Sequence, residues 1–220
     1  MNLPNEMIFW GATGHAKVLR ECLQHFGSQL LALFDNNESL ISPFTDVPLY
    51  IGQQGFHEWL KIKANPRTGF LVAIGGNKGK DRLEIQEYLE SHHLIPGLVQ
   101  HPKAFVADDV KIGLGSQILA SASVCANTVI GRGCIINTGA IVDHECILEN
   151  GVHICPGATL AGCVHVGRYA MIGTGAVILP RIKIGEMSTV GAGSVVIQNV
   201  PPRAVVVGNP ARVIRTNNLD

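Results

Sequence analysis

The sequence predicts a small Rossmann-like parallel α/β domain over residues 1–98, followed by a parallel β-helix over 99–220. Three observations carry this reading. From Val106 to Val196 every sixth position holds Val, Ile or Leu, sixteen positions in one unbroken register. Glycine recurs just after these aliphatics, at Gly113, Gly131, Gly167, Gly173, Gly185 and Gly191, and after four of the six again two positions later. Before Val99 the period of six is absent, and short apolar runs alternate with helical patterns across Gly-rich turns.

The first domain is justified element by element. Met7 to Trp10 is an apolar strand, ended by Gly11-Ala12-Thr13-Gly14-His15. Ala16, Val18, Leu19, Cys22, Leu23 and Phe26 then recur at helical spacing. Leu30 to Phe34 is a second strand, closed by Asp35-Asn36-Asn37, and Phe56 to Lys63 reads as a helix. Phe70 to Ile74 is a third strand, closed by Gly75-Gly76-Asn77-Lys78, and Asp81 to Ser91 is helical. Strands alternating with helices imply a parallel sheet, whose ligands sit at the carboxyl ends of the strands. Three polar clusters fall there: Gly11 to His15, Asp35-Asn36 and Gly75 to Lys78. A Gly-rich turn at a helix start presents N–H groups and a positive dipole end to phosphate, and serves equally as a bare tight turn. Asp35 lies 21 residues after Gly14, where a dinucleotide fold places its ribose-binding carboxylate. An exposed loop acid reads the same way.

The second domain follows from the hexads. No helical turn gives a period of six, and plain strand alternation gives two without punctuation. A fixed hexad reads as short strands and tight turns, with one aliphatic per rung pointing inward. Three hexads close a triangular coil, so the run makes about five stacked coils. The position two before each aliphatic is small or modest in size, as in Ser116, Ala122, Thr128, Cys134, Ala140, Cys146 and Ala158.

Composition narrows the function classes. The chain has 220 residues, 46% hydrophobic and 15% charged, with no net formal charge. That balance gives no sign of a nucleic-acid partner or an anionic membrane surface. No apolar run reaches the eighteen or so residues of a span, and the N-terminus lacks a basic region before an apolar one. The six cysteines form no C-x-x-C pair and read as reduced thiols used as small hydrophobes, in a soluble cytoplasmic protein.

Among nine histidines the most informative is His144, between Asp143 and Glu145. It stands two past Val142, which places it at a turn on the side of the prism. Glu145 can orient the ring as a carboxylate does in a triad, and His near neutral pKa is a common general base. Eighteen residues on, one coil later, is Gly162, which leaves space for a ligand and offers a bare N–H to an oxyanion. His153 lies half a coil from His144 and faces the opposite side, so the two meet only across a subunit boundary. A zinc site needs about three converging ligands. His144, His153 and His165 spread over different faces, and Ala126 and Gly162, one coil from His144, cannot ligate, so no metal is expected.

The string Gly-Ala-Thr-Gly-His-Ala-Lys-Val, then Asp-Asn, Ala-Ile-Gly-Gly-Asn-Lys and hexads carrying Asp-His-Glu resembles the hexapeptide-repeat sugar acetyltransferases of the sialic-acid O-acetyltransferase type. Within that group it is most similar to the N-acetyltransferases of UDP-4-amino-4,6-dideoxy sugars, enzymes of bacterial surface-glycan and glycoprotein synthesis. The resemblance implies a left-handed β-helix that binds acetyl-CoA, an N-terminal domain that binds the nucleotide sugar, and a homotrimer with sites between β-helices. It assigns nucleotide-sugar contacts to Thr13, Gly14, His15, Asp35, Asn36 and Gly75, and the catalytic base to His144 beside Glu145. Acetyl-CoA contacts fall on Asn137, near the base, and on His153, Gly162, Thr174 and Ala192, with Val207 to Arg212 joining them. O-acetylation of a sialic-acid-like sugar is the alternative, since nothing in the hexads separates an amine from a hydroxyl acceptor.

Overall fold

The computed structural model describes residues 3–63 and 67–216; the outermost residues of both expected domains and residues 64–66 lie outside them. Five parallel strands form the first sheet: β1 (Glu6–Trp10), β2 (Gln29–Asp35), β3 (Leu49–Ile51), β4 (Gly69–Val72) and β5 (Ile95–Pro96). Their order is β3-β2-β1-β4-β5, so the chain reverses direction across the sheet between β1 and β4. Helices α1 (Gly14–Gln24), α2 (Gly52–Lys63) and α3 (Gly79–Ser91) connect them. Their core is aromatic: Trp10 stacks on Phe34 at 5.7 Å, and Phe56 meets Phe34 edge-on at 5.3 Å. The strands Leu49–Ile51 and Ile95–Pro96 escape a pattern reading because each is too short to show alternation.

The second half is a β-helix whose rungs are two-residue strands, each hexad aliphatic being the second residue of its rung. Rungs pair in parallel with those 18 residues away, as Val124 with Val142 and Ile136 with Ile154. Three sheets result, called here faces 1, 2 and 3, through Ile136, Val142 and Leu148 respectively. The aliphatics from Ile118 to Val196 are buried in one continuous cluster, while Val106 and Ile112 in the first coil are half-buried. At the far end, Ala204–Gly208 adds in parallel to face 1 and folds back antiparallel on Ala211–Thr216.

The small slot two before each aliphatic does more than save volume. Ser116 Oγ donates to Gly131 O at 2.8 Å, and Thr128 Oγ1 to Asp143 O at 3.0 Å. Cys134 and Cys146 donate their thiols to Glu149 O and Ala161 O at 3.1 and 3.3 Å. At these four positions the slot side chain thus donates to a turn carbonyl of the next coil, which a plain hydrophobe cannot do. All six cysteines are free, and burial pushes the Cys134 and Cys146 thiols up to about 11.

The boundary expected at residue 98 needs one correction. Gly75–Leu83 groups with the β-helix, whereas Glu84–Leu98 groups with the α/β unit. Gly79 approaches the β-helix so closely that a Cβ there would strike Gly151 O and stand 3.0 Å from Tyr169 Cα. Next to it the buried Arg82 donates from Nε to Gly133 O and from Nη2 to Gly151 O, both at 2.7 Å. Desolvation lowers this guanidinium to about 10. Contacts 51 and 69 residues apart in sequence leave no local pattern, so the sequence does not announce them. We predict that Arg82→Met lowers unfolding stability by about 2–4 kcal/mol, because two turn carbonyls lose their donors. Urea unfolding monitored by circular dichroism checks this, and an unchanged midpoint would show that the clamp is dispensable.

Candidate active site

The turn that follows Val142 carries the base candidate and is tied down at every step. Asp143 N donates to Leu160 O at 3.0 Å, and Asp143 O accepts from Thr128. His144 N donates to the Asp143 side chain at 2.8 Å, and His144 O accepts from Cys163 N at 2.9 Å. Glu145, in the left-handed region at φ +57°, donates its N–H to Ala126 O at 2.9 Å. A turn so braced holds its side chains in one orientation.

The His144 ring is about half exposed, and its Nδ1 lies 2.9 Å from Glu145 Oε2. An ionised carboxylate only accepts, so this contact keeps the proton on Nδ1 and leaves the Nε2 lone pair free. The free nitrogen lies over Gly162, where a Cβ would overlap Nε2 and stand 2.5 Å from Cε1. The missing side chain is therefore what admits the ring. Gly162 O accepts from Arg181 N at 3.1 Å, while its N–H makes no hydrogen bond among the described residues. The base candidate His144, the carboxylate of Glu145 and the Gly162 N–H thus share the edge between faces 2 and 3.

Other expected contacts fall elsewhere. Asn137, Thr174 and Ala192 line the edge between faces 1 and 2. Asn137 does not neighbour His144, as its sequence distance suggested; its side-chain amide meets His153 Nε2 at 3.1 Å. His153 lies on face 1, only 5% exposed, and its Nδ1 meets Gly76 O at 3.1 Å. Both ring nitrogens are thus engaged within the chain, and His153 fastens the Gly75-Gly76 turn to the β-helix. Gly75 itself packs beside His153, in the β-helix unit rather than with the other nucleotide-site residues.

In the α/β unit the Gly11 turn sits at the switch point between β1 and β4. Gly11, at φ +107°, approaches Ala73 so closely that a Cβ would stand 2.7 Å from the Ala73 carbonyl carbon. Gly14, by contrast, faces open space, so nothing within the fold demands glycine there. Thr13 makes no side-chain cap, and the first turn of α1 itself carries no acid. His15 is half-buried in that turn. Asp35 is engaged by backbone: Oδ2 accepts from Ala12 N at 2.9 Å and Oδ1 from Asn37 N at 3.0 Å. It locks the ends of β1 and β2 together. Exposed Asn36 borders an open cleft of about 650 Å³, lined also by Tyr50, Gln54 and Glu58.

Two features of the site escape a reading of the sequence. Thr128 braces the His144 turn from the preceding coil, donating to Asp143 O. Cys163 stands one coil beyond Glu145, with its Sγ 3.8 Å from Glu145 Oε2. The three histidines considered as zinc ligands do spread over different faces. Yet His144, Glu145 and Cys163 bring three donor atoms within 4.8 Å of one another. The 18-residue step from Glu145 to Cys163 is the signal in the sequence that could have found them.

Comparison with known proteins agrees with this architecture. Residues 6–89 match the PglD N-terminal domain, and residues 145–180 match the bacterial transferase hexapeptide family of six repeats. A GDP-perosamine N-acetyltransferase from Escherichia coli O157:H7 is 37% identical over 151 residues, covering 66% of this chain and 67% of that protein. The structure of PerB from Caulobacter crescentus, in complex with CoA and GDP-perosamine, superposes with a TM-score of 0.85 at 31% identity, covering 96% of this chain and 97% of that one. The acetyltransferase domain of PglB from Neisseria gonorrhoeae FA1090, in complex with acetyl coenzyme A, gives 0.84 at 30% identity, covering 97% and 100%. Among the described residues no helix is long and apolar enough to cross a membrane. The chain belongs to the acetyl-CoA-dependent sugar N-acetyltransferases that join a PglD N-terminal domain to a β-helix of hexapeptide repeats.

Proposed function

We propose that this chain transfers acetyl from acetyl-CoA to the amino group of a nucleoside-diphosphate-linked 4-amino-4,6-dideoxy sugar, with His144 as general base. The observation that carries the proposal is the His144–Glu145 pair seated on Gly162. In this mechanism the neutral amine attacks the thioester carbonyl, and its proton passes to His144 Nε2 as the N–C bond forms. Glu145 stabilises the resulting imidazolium through Nδ1–H. The Gly162 N–H donates to the tetrahedral oxyanion, which collapses with loss of the CoA thiolate. No acyl-enzyme is involved. An amine acceptor is supported by the N-acetyltransferase relatives.

For the nucleotide, the Gly11 to His15 turn supplies the diphosphate site: an uncapped helix start and a Gly14 with open space before it. Motif resemblance gives UDP as the nucleotide, while two of the relatives named above, the Escherichia coli O157:H7 and Caulobacter crescentus proteins, act on or hold a GDP-linked sugar. Asp35 enters as the residue that shapes this turn rather than only as a ribose contact.

A homotrimer with shared sites completes the reading. The base and the Gly162 N–H share one edge of the prism, and Asn137, Thr174 and Ala192 share another, so one chain cannot present both to a single ligand. Exposed Phe105, Ile141 and Val177 on face 2 and Val129 and Ile147 on face 3 flank the His144 edge. An apolar patch of this kind marks an interface.

Three measurements test these statements. His144→Ala should lower turnover by about 10²–10⁴ with an almost unchanged melting temperature. Gly162→Ala should cost on the order of 10² by displacing the ring; full activity in either variant would remove that residue from the mechanism. Calorimetry with UDP and GDP on the intact protein should show one nucleotide bound, weakened in Asp35→Ala. The tighter ligand names the substrate, and binding of neither would exclude a nucleotide-linked acceptor. Refolding His144→Ala together with Ala192→Trp should restore roughly a quarter of wild-type activity if each site draws on two chains; no recovery would confine the site to one chain.

A further inference from the structure

We propose that His144 Nδ1, Glu145 Oε2 and Cys163 Sγ form an inhibitory Zn²⁺ site that silences the base. One donor atom from each of the three residues lies within 4.8 Å of the other two, and Nδ1 and Sγ stand 2.9 and 3.8 Å from Glu145 Oε2. Tetrahedral zinc with imidazole, carboxylate and thiolate ligands sets neighbouring donors about 3.3–3.6 Å apart. Reaching that spacing takes only small rotations of side chains on an exposed edge. A thiolate beside an imidazole and a carboxylate selects zinc over magnesium or calcium, which prefer all-oxygen shells. The fourth position stays open to water.

The backbone supports the site from below. Glu145 and Cys163 occupy equivalent turn positions of successive coils, both left-handed at φ +57° and +61°. Cys163 N donates to His144 O at 2.9 Å, which fixes the two turns against each other. The spacing is therefore set by coil stacking and not by flexible loops.

The chemical consequence follows from proton accounting. Zinc takes the lone pairs of Nδ1 and of the Cys163 thiolate, and the thiol proton leaves to solvent. The imidazole proton that Nδ1 carried moves to Nε2. The neutral ring then holds its only proton on the nitrogen that faces Gly162, and it cannot accept another from an incoming amine. Glu145 is also withdrawn from orienting the ring. Zinc here is an inhibitor and no part of the transfer chemistry. The inhibitory half rests on His144 being the base; the binding half does not.

The test uses the untagged full chain. Zinc calorimetry should show one site per chain, weakened at least about tenfold in Cys163→Ser, since even outer-sphere changes cost ten- to a hundredfold. Cobalt added in place of zinc should give a thiolate-to-metal charge-transfer band in wild type that is absent in Cys163→Ser and in Cys163→Ala. Without metal both variants should keep near-wild-type activity, and micromolar zinc should inhibit wild type but spare them. Equal zinc affinity in wild type and both variants, or no cobalt band in wild type, overturns the site. A normal band with no loss of turnover overturns the inhibitory role, while His144 as the base stands or falls separately on the turnover of His144→Ala.

Discussion

Stacking at 18 residues per coil is the constraint on which everything else rests. Each hexad aliphatic pairs with its counterpart one coil away, from Val106 through Val124, Val142, Leu160 and Ile178 to Val196 on face 2 alone. Because the aliphatic must point inward, a slip of one residue would expose the core and bury the turns. The same rule that fixes the core therefore fixes every turn side chain. Gly162 lies over His144, and Cys163 beside Glu145, for no reason beyond that register.

Much of this could be read in the sequence, and the reason is periodicity. Sixteen aliphatics at one spacing give the β-helix, its coil length and the turn position of His144. The alternation of apolar runs with Gly-rich turns gives the α/β sheet. Contacts that span many residues without a repeat stayed hidden. Arg82 reaching Gly133 and Gly151, and His153 reaching Gly76, join segments 51 to 77 residues apart. No window of sequence contains both partners. They group Gly75–Leu83 with the β-helix unit and give His153, expected as a ligand contact, a buried fastening role within the chain. Asp35 teaches a related lesson: a carboxylate at ligand-binding spacing is here held by two backbone N–H groups. Spacing alone does not separate the two uses.

The braced turn explains how His144, the proposed base, keeps its geometry at an exposed edge. Every backbone polar group of Asp143 and His144 named above has a partner, and the Thr128 hydroxyl supplies one of them from inside the prism. Immobilising a general base in advance means that little ordering remains when substrate arrives. Cys146 braces the following coil in the same way, donating to Ala161 O just before Gly162. The small buried slot thus connects the stability of the core to the position of the reacting groups.

The three edges divide their labour by what they place in the left-handed position of each turn. Between faces 1 and 2 that position is Gly139, Gly157, Gly175 and Gly193 in succession, and a Cβ at any of them would have open space for 4 Å around it. Between faces 2 and 3 it is Asn127, Glu145, Cys163 and Arg181. Glycine adopts this conformation without penalty, whereas a residue such as glutamate or arginine costs about 1–2 kcal/mol there. The chain accepts that cost at Glu145, Cys163 and Arg181 on this edge and at Tyr169 and Met187 on the third, and holds glycine in four successive coils between faces 1 and 2, after Ser121 in the first. Strain tolerated at functional groups and compensated by a rigid surround is the expected distribution for a site built on a repetitive scaffold. The glycine edge leaves open space along four successive coils, and the neighbouring edge carries His144 and Glu145, the groups proposed to act.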